Sequence, residues 1–439
     1  MIKRRRFPKI YFGWWMNLAM GLLSGSAGGF TQQGISVIFK PIASELGLSR
    51  AATSVATAIA RFEGGIESPI TGGLSDKFGP KWVVFTGTCF MIIGLVWMNF
   101  IHSVWAYYVA WGVIIATGHN LGFTIAHDKV LTDWFVSKRG LAFGVRFAIL
   151  GAMGVIVLPI VSWLVITQGW RMTCLIWAVV IFAGIPFALY FVKQKRPEYY
   201  GLLPDGAAVE PGSEADIGAM IAKGVEYAAS FHETEFTLKQ AMRTSSYWML
   251  VLSKCANGMI YGAINLHCIP FLTDMGIAPV VAAGMMAMMV FFTIPSRFLG
   301  GVLADRFTKE RLRFLLMGAF LIQVLGITTF LLNQTVVTAY VFLILLGFGS
   351  GTMTPVDIST KGRYFGRKSY GSIQGTSNSF AAMMSLFAPV YTGWVYDVSG
   401  SYLTAFTTFA AIAAFGAFIV YFLRPPKPPA HVVDPRRLM

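Results

Sequence analysis

Charge is scarce in this chain. Only 13% of its 439 residues are Asp, Glu, Lys or Arg, about half the share of a soluble domain. A water-soluble protein with so few charges could not cover its surface, which argues against a soluble enzyme. Cysteine is scarce as well. Cys89, Cys174, Cys255 and Cys268 all lie in apolar stretches, at spacings that match no metal motif, and read as small buried apolar side chains. The sequence has no G-x-x-x-x-G-K-[ST] phosphate loop, no catalytic triad and no metal-ligand cluster. It therefore reads as neither a primary pump acting alone nor an enzyme, and it calls for no cofactor. No cleavable signal peptide is expected, because the apolar run that follows the basic segment Met1 to Lys9 is too long for a signal core and lacks a clear cleavage site.

Apolar residues are abundant. They make up 55% of the chain, aromatics make up 15%, and there are 46 glycines. A bilayer removes the need for a charged surface, and glycine lets membrane helices pack closely. A spanning helix needs about 20 mainly apolar residues. Twelve such runs are present, at roughly 11–38, 51–72, 81–100, 104–131, 140–164, 170–191, 246–271, 279–303, 313–332, 336–358, 370–395 and 402–423. The runs are continuous rather than alternating, which excludes a β-barrel reading. The expected fold is thus all-α, with twelve transmembrane helices. A six-helix N-terminal bundle at 1–191 and a C-terminal bundle with a short tail at 246–439 flank a polar linker at 192–245, whose stretch near 214–230 suits a surface helix.

The net charge of +15 is a matter of topology and not a nucleic-acid signature, since the basic residues are scattered over short loops. With both termini cytoplasmic, 27 of the 35 Lys/Arg fall on the cytoplasmic side. Three (Lys40, Arg50, Arg171) fall opposite, and five (Arg61, Lys129, Arg146, Lys254, Arg297) fall inside the expected helices. The asymmetry follows the positive-inside rule and predicts a multi-pass inner-membrane protein, read as a monomer.

The halves repeat a pattern. Gly72-Gly73-Leu74-Ser75-Asp76-Lys77-Phe78 follows helix 2, and Gly301-Val302-Leu303-Ala304-Asp305-Arg306-Phe307 follows helix 8. Both read G-x-L-x-D-[KR]-F at equivalent places, and duplicated six-helix halves are a transporter signature. The paired loops resemble the loop motif of the major facilitator superfamily. That resemblance implies two bundles rocking about a midplane site. It also implies that Asp76 and Asp305 cap helix ends while Lys77 and Arg306 bridge to neighbouring helices. A narrower resemblance, to the monocarboxylate-transporter-like and oxalate/formate-antiporter-like branch, rests on Asp133-Trp134-Phe135-Val136-Ser137-Lys138-Arg139-Gly140-Leu141-Ala142-Phe143-Gly144, on Gly169-Trp170-Arg171, on Arg196-Pro197-Glu198, on Pro204-Asp205-Gly206 and on His267 to Asp274.

Charges within the bilayer are costly and mark function. Arg297 lies eight residues before Asp305, about 12 Å inside helix 8 at 1.5 Å per residue. The monocarboxylate branch carries a substrate-binding arginine at this spacing, and a guanidinium grips a carboxylate with two parallel hydrogen bonds. A structural pair with a helix carboxylate is the alternative. The branch's pattern then departs. Thr293 stands where some proton-coupled members have aspartate, Gln33 where mammalian-type members have a helix 1 lysine, and helix 11 has no Lys or Arg where the oxalate antiporter relies on a lysine. This puts proton coupling in doubt and speaks against oxalate.

Glu63 and Glu67 are i,i+4 neighbours on helix 2 and read either as proton carriers or as one side of an interhelical salt bridge, with Arg61 on another face of the helix. Arg146 reads as a second anion anchor or as a side chain reaching back to the cytoplasmic surface. His119 and Asn120 in helix 4 read as substrate contacts or, for His119, a proton relay or a packed histidine. Asn257, Tyr261 and Asn265 form a polar stripe on helix 7, and Asn378 on helix 11 is a further candidate. The function expected is secondary transport of a small organic anion, a mono- or dicarboxylate, coupled to protons or exchanged for a counter-anion. The alternative is export of an amphipathic drug-like or siderophore-like compound on the same fold.

Overall fold

A computed structural model describes residues 10–48, 50–209, 216–231 and 234–428. The basic segment Met1 to Lys9, Glu210 of the linker and the tail from residue 429 onward lie outside the described residues. Among the described residues twelve long helical rods follow one another. Helix 1 is built of Phe12–Gly28, a π-helical segment Gly29–Gly34 and Ile35–Glu45. Helix 2 is Arg50–Phe78 and helix 3 is Pro80–Met98. Helix 4 covers Val104–Trp134, with a π segment at Tyr108–Ile115 and a break at Thr124. Helices 5 and 6 share Arg139–Phe191 and part at Gly169, where a φ of 78° turns the chain in a region that suits glycine. Then come helix 7, Ser245–Asp274, helix 8, Pro279–Arg306, and helix 9, Leu312–Leu332. Helices 10, 11 and 12 are Val336–Phe365, Tyr370–Ser399 and Leu403–Tyr421.

Several helices outrun their apolar runs. Helix 10 continues to Phe365 rather than ending near 358, so Lys361, counted with the loops on hydropathy, is a fully buried helix residue. Helices 3, 4, 8, 9, 10 and 12 and the joined pair 5–6 are apolar enough to cross a bilayer on composition alone. Helices 1, 2, 7 and 11 are not, because Gln32, Gln33, Arg61, Glu63, Glu67, Lys254, Asn257, Asn265, Gln374 and Asn378 dilute them. Side chains of that kind need protein or water around them rather than lipid.

The buried apolar side chains fall into separate cores. One is drawn entirely from Phe236 to Leu423. Two others are drawn from helices 1–6, joined at one end by Ile358 and Tyr370. The result is two six-helix bundles whose seam is formed chiefly by helix 2 along helix 11 and helix 5 along helix 8. The motif glycines explain how close these pairs come. A Cβ on Gly72 would strike the Gly371 backbone, and one on Gly301 would strike that of Gly140.

The linker folds onto the basic end of the bundles. Its helix Ile217–Ser230 is capped by Asp216, which accepts hydrogen bonds from the Gly218 and Ala219 amides at 2.8 and 3.2 Å. Met220, Gly224 and Ala228, one turn apart, form its buried face. Asp205 accepts hydrogen bonds from the backbone N–H groups of Val136, Ser137 and Lys138 at 3.1, 2.8 and 3.0 Å and from the Tyr227 hydroxyl at 3.1 Å. Glu198 takes Arg367 from the loop between helices 10 and 11 at 3.1 Å. The linker thus touches both bundles.

Candidate functional site

The two motif aspartates cap helices of the opposite bundle. Asp76, near the end of helix 2, accepts from the Gly371 and Ser372 amides at 3.1 and 2.8 Å and from the Ser372 hydroxyl at 2.7 Å. Asp305, near the end of helix 8, accepts from the Gly140 and Leu141 amides at 2.7 and 2.6 Å. Each carboxylate meets the unpaired N–H groups and positive dipole end of a helix N-terminus, helix 11 for Asp76 and helix 5 for Asp305. The cations beside them are Lys129, 3.6 Å from Asp76, and Arg363, 3.3 Å from Asp305. This corrects the expectation for Lys77 and Arg306. Both are exposed in the last turn of their helices. Lys77 lies over the Phe78 ring at 5.2 Å.

Among the described residues, the hydrogen bonds that join the bundles lie between this basic end and the level of Gly65, whose carbonyl accepts from the Ser379 hydroxyl. The seam is therefore latched over one half of its length.

Deeper in the N-terminal bundle, Glu63 accepts from the Thr117 hydroxyl at 2.8 Å and from the Asn120 amide at 3.2 Å. Glu67 is 8% exposed. Its carboxyl is within electrostatic reach of Glu63, Thr71 donates to it at 3.4 Å, and its other oxygen is buried without a partner. Among the described residues neither glutamate has a cation within ion-pair distance. Arg61 is exposed on a different face of the helix. Two carboxyls that meet with no cation beside them can share a proton, and a hydrogen bond between them requires one.

His119 approaches the Gln32 amide nitrogen at 3.5 Å, and its Nδ1 is buried without a partner. Gln33 packs against Gly154 of helix 5, and its Oε1 is likewise buried without a partner. Arg146 is 2% exposed. It is ion-paired to Asp128 and donates to the Phe123 carbonyl at 2.9 Å. Its charge is neutralised inside the bundle, so the geometry is that of a structural pair and neither of an anion anchor nor of a side chain reaching the surface.

In the C-terminal bundle Arg297 is half-buried, with its Nε inaccessible and unbonded. Its guanidinium stands 6.0 Å from the Phe147 ring, whose other neighbour is Arg146 at 5.5 Å. Tyr261 is within electrostatic reach of Arg297. Among the described residues no carboxylate lies within ion-pair distance of Arg297. The helix 7 stripe divides. Asn257 accepts from Gln323 of helix 9 at 3.0 Å and so belongs to packing inside the bundle. Tyr261 is half-buried, and Asn265 is exposed. Asn378 accepts a hydrogen bond from Lys254. Lys254 also faces Asp357 at 3.9 Å, which is held more tightly by Lys361 at 2.8 Å.

Sequence reasoning passed over Asp357 and Lys361, although a signal was present. Asp128 and Asp357 are separated by the same 229 residues as Asp76 and Asp305, so the repeat places an acidic residue at matching depth in both halves.

Two six-helix bundles with helix-capping aspartates at a shared seam define a membrane transport protein of the alternating-bundle kind. The sequence profile of the Major Facilitator Superfamily matches residues 21–389, and the chain belongs to that superfamily. It is 24% identical over 347 residues to monocarboxylate transporter 13 of Rattus norvegicus, covering 78% of this chain and 73% of the relative. It is 23% identical over 320 residues to the uncharacterized MFS-type transporter YhjX of Escherichia coli (strain K12), covering 70% and 71%. Among solved structures, FucP in the outward conformation superposes with a TM-score of 0.69 at 15% identity over 95% of this chain and 99% of that one. The proton:xylose symporter XylE does so with a TM-score of 0.69 at 12% identity, over 93% and 96%. The likeness to these structures concerns the fold.

Proposed function

We propose that this chain transports a small carboxylate across the inner membrane by alternating access, with Arg297 gripping the carboxylate and the Glu63–Glu67 pair carrying the coupling proton. The observation that carries the reading is the solitary charge of Arg297. An arginine at this depth is costly unless a counter-ion meets it, and among the described residues none does. A carboxylate substrate supplies one. The relationship to proteins named monocarboxylate transporters points the same way. With the basic end placed in the cytoplasm by the positive-inside rule, the latches at Asp76 and Asp305 close the inner side, and the binding residues are reached from outside. Tyr261, His119 and Gln33 border the site as neutral contacts.

The test is uptake of radiolabelled short-chain carboxylates into proteoliposomes. The wild type should accumulate a carboxylate when an inward proton gradient is imposed. Arg297→Lys keeps the charge but loses the two-pronged grip, and uptake should fall at least about tenfold with thermal unfolding unchanged. Normal uptake by folded Arg297→Lys would overturn the assignment. Uptake that ignores the proton gradient and responds only to a trapped internal anion would replace proton coupling by exchange. Retention of lipophilic compounds in place of carboxylates would favour the amphipathic exporter.

A further inference from the structure

Lys254 of helix 7 is a second intramembrane cation, beside Asn378 of helix 11 and Asp357 of helix 10. We infer that it binds a second carboxylate of the substrate, so that the transported species is a dicarboxylate. This inference rests on reading Arg297 as a carboxylate site.

In helix 10, Asp357 already holds Lys361 at 2.8 Å, and Lys361 is fully buried and also donates to Ser377 at 2.7 Å. Lys254 stands off the same carboxylate at 3.9 Å. Two ammonium groups thus share one carboxylate, and the nearer one holds it. Across the seam Lys254 lies within electrostatic reach of Asp128, but that carboxylate is taken by Arg146. Three cations, Lys254, Lys361 and Arg146, are therefore set against two carboxylates, and Lys254 is the one in excess.

The second point is access. The Lys254 side chain is 25% exposed, whereas Lys361 and Arg146 are at 0% and 2%. Its polar neighbours are Asn378 of helix 11, Asp357 of helix 10 and, across the seam, Asp128. Asp128 and Asp357 are buried and Asn378 is half-buried, so the ammonium end of Lys254 is surrounded by polar protein groups and not by lipid alone.

The third point is that Asn378 accepts one of the ammonium protons. An ammonium has three donors and no acceptor. With one donor on Asn378 and Asp357 at the edge of contact, at least one remains for a ligand oxygen. A neutral amide fixes the direction of the side chain without spending its charge.

Lys254 also shares a helix face with Tyr261, two turns on, and Tyr261 lies within electrostatic reach of Arg297. The uncompensated cations of the C-terminal bundle are thus linked along one surface. A monocarboxylate would neutralise one of them, and a dicarboxylate would neutralise both.

The experiment measures binding to purified full-length protein, by thermal stabilisation and by competition in proteoliposome uptake, for propionate, malonate, succinate and glutarate. At least one diacid should bind about tenfold or more tighter than propionate, the gain typical of an added charge-assisted contact. The best chain length reads out the spacing of the two cations. Lys254→Gln keeps a donor for Asn378 and removes the charge. It should lower diacid affinity about tenfold or more and leave propionate unchanged, and Lys254→Arg should restore the preference. A purely structural lysine would change both ligands alike or neither, and that result would overturn the assignment. Should Lys254→Gln fail to fold, the wild-type ratio decides, because equal binding of propionate and every diacid is enough to reject it. If no acid of the series binds, the reading of Arg297 falls and this one with it. If propionate binds in an Arg297-dependent way and no diacid binds better, only the role of Lys254 falls.

Discussion

The latch at Asp305 allows a quantitative prediction. Its carboxylate accepts two amide hydrogen bonds, at 2.7 and 2.6 Å, from the first turn of helix 5, and Arg363 stands 3.3 Å away. Asp305→Asn keeps one carbonyl acceptor but sets an NH2 group against the other amide. The loss is one charge-assisted hydrogen bond, worth about 1.5–3 kcal/mol, plus a helix-end interaction of about 0.3–1 kcal/mol. A total near 2–4 kcal/mol is a shift of about 30- to 700-fold in the equilibrium between the latched state and the state open at the basic end. Hydrogen–deuterium exchange reads this directly at the Gly140 and Leu141 amides. If the bundles move as rigid bodies, the symmetric latch must open too, and the Gly371 and Ser372 amides, bonded to the untouched Asp76, should speed up by a similar factor. Acceleration confined to helix 5 would mean local fraying and would refute the argument that the two aspartates close one gate.

Other consequences follow from particular contacts. Arg146→Met leaves Asp128 buried and unpaired and should cost about 3–5 kcal/mol in thermal unfolding, most of it recovered in Arg146→Met/Asp128→Leu; a single variant as stable as the wild type would remove the structural role assigned to the pair. Gly72→Ala drives a Cβ into the Gly371 backbone, whereas the next residue, Gly73, has open space around it; transport should collapse in the first and persist in Gly73→Ala, and equal activity would show that the close approach is unnecessary. Asp205→Ala strips the acceptor from three amides and Tyr227, so limited proteolysis within 197–231 should quicken about tenfold or more, and an unchanged rate would mean that other contacts hold the linker. Glu63→Gln/Glu67→Gln removes the ionisable pair, so uptake should lose its response to an imposed pH gradient while binding at Arg297 survives; retained gradient-driven uptake would exclude the pair as the proton carrier.

The twelve helices were legible because spanning a bilayer demands long apolar runs. The order of the halves was legible from two loops that repeat a seven-residue pattern. Arg297 stood out because an intramembrane arginine is rare on energetic grounds. What escaped was partnership. Lys77 and Arg306 looked like the bridging cations because they adjoin the aspartates in sequence. Both are exposed, however, and the cations that reach Asp76 and Asp305 come from helices 4 and 10. Arg146 and Arg297 look alike in sequence, and only the fold shows that Asp128 faces the first while, among the described residues, no carboxylate lies within ion-pair distance of the second. Asp357 and Lys361 were hidden because an i,i+4 pair lets a helix carry charge beyond the apolar run that marks it.

The two bundles have kept their symmetry at the gate and lost it at the site. Asp76 and Asp305 do the same work on helix ends of opposite bundles. At the level of the proposed site the matched positions have diverged in charge. Glu67 in helix 2 corresponds to Ser296 in helix 8, and Arg297 corresponds to Ser68. One half carries carboxyls without a cation, and the other carries cations in excess of carboxylates. When the seam closes on both sides, this region is cut off from water and each unbalanced charge becomes more costly, since the interaction energy scales inversely with the local dielectric. On the proposed function, a proton on the glutamate pair would relieve one half, and an anion at Arg297 and Lys254 would relieve the other. The occluded state would then be least costly with both aboard, and a carrier holding only one of them would face a higher barrier. Coupling between proton and anion would follow from the opposite charge imbalance of two related bundles, without direct contact between the two sites.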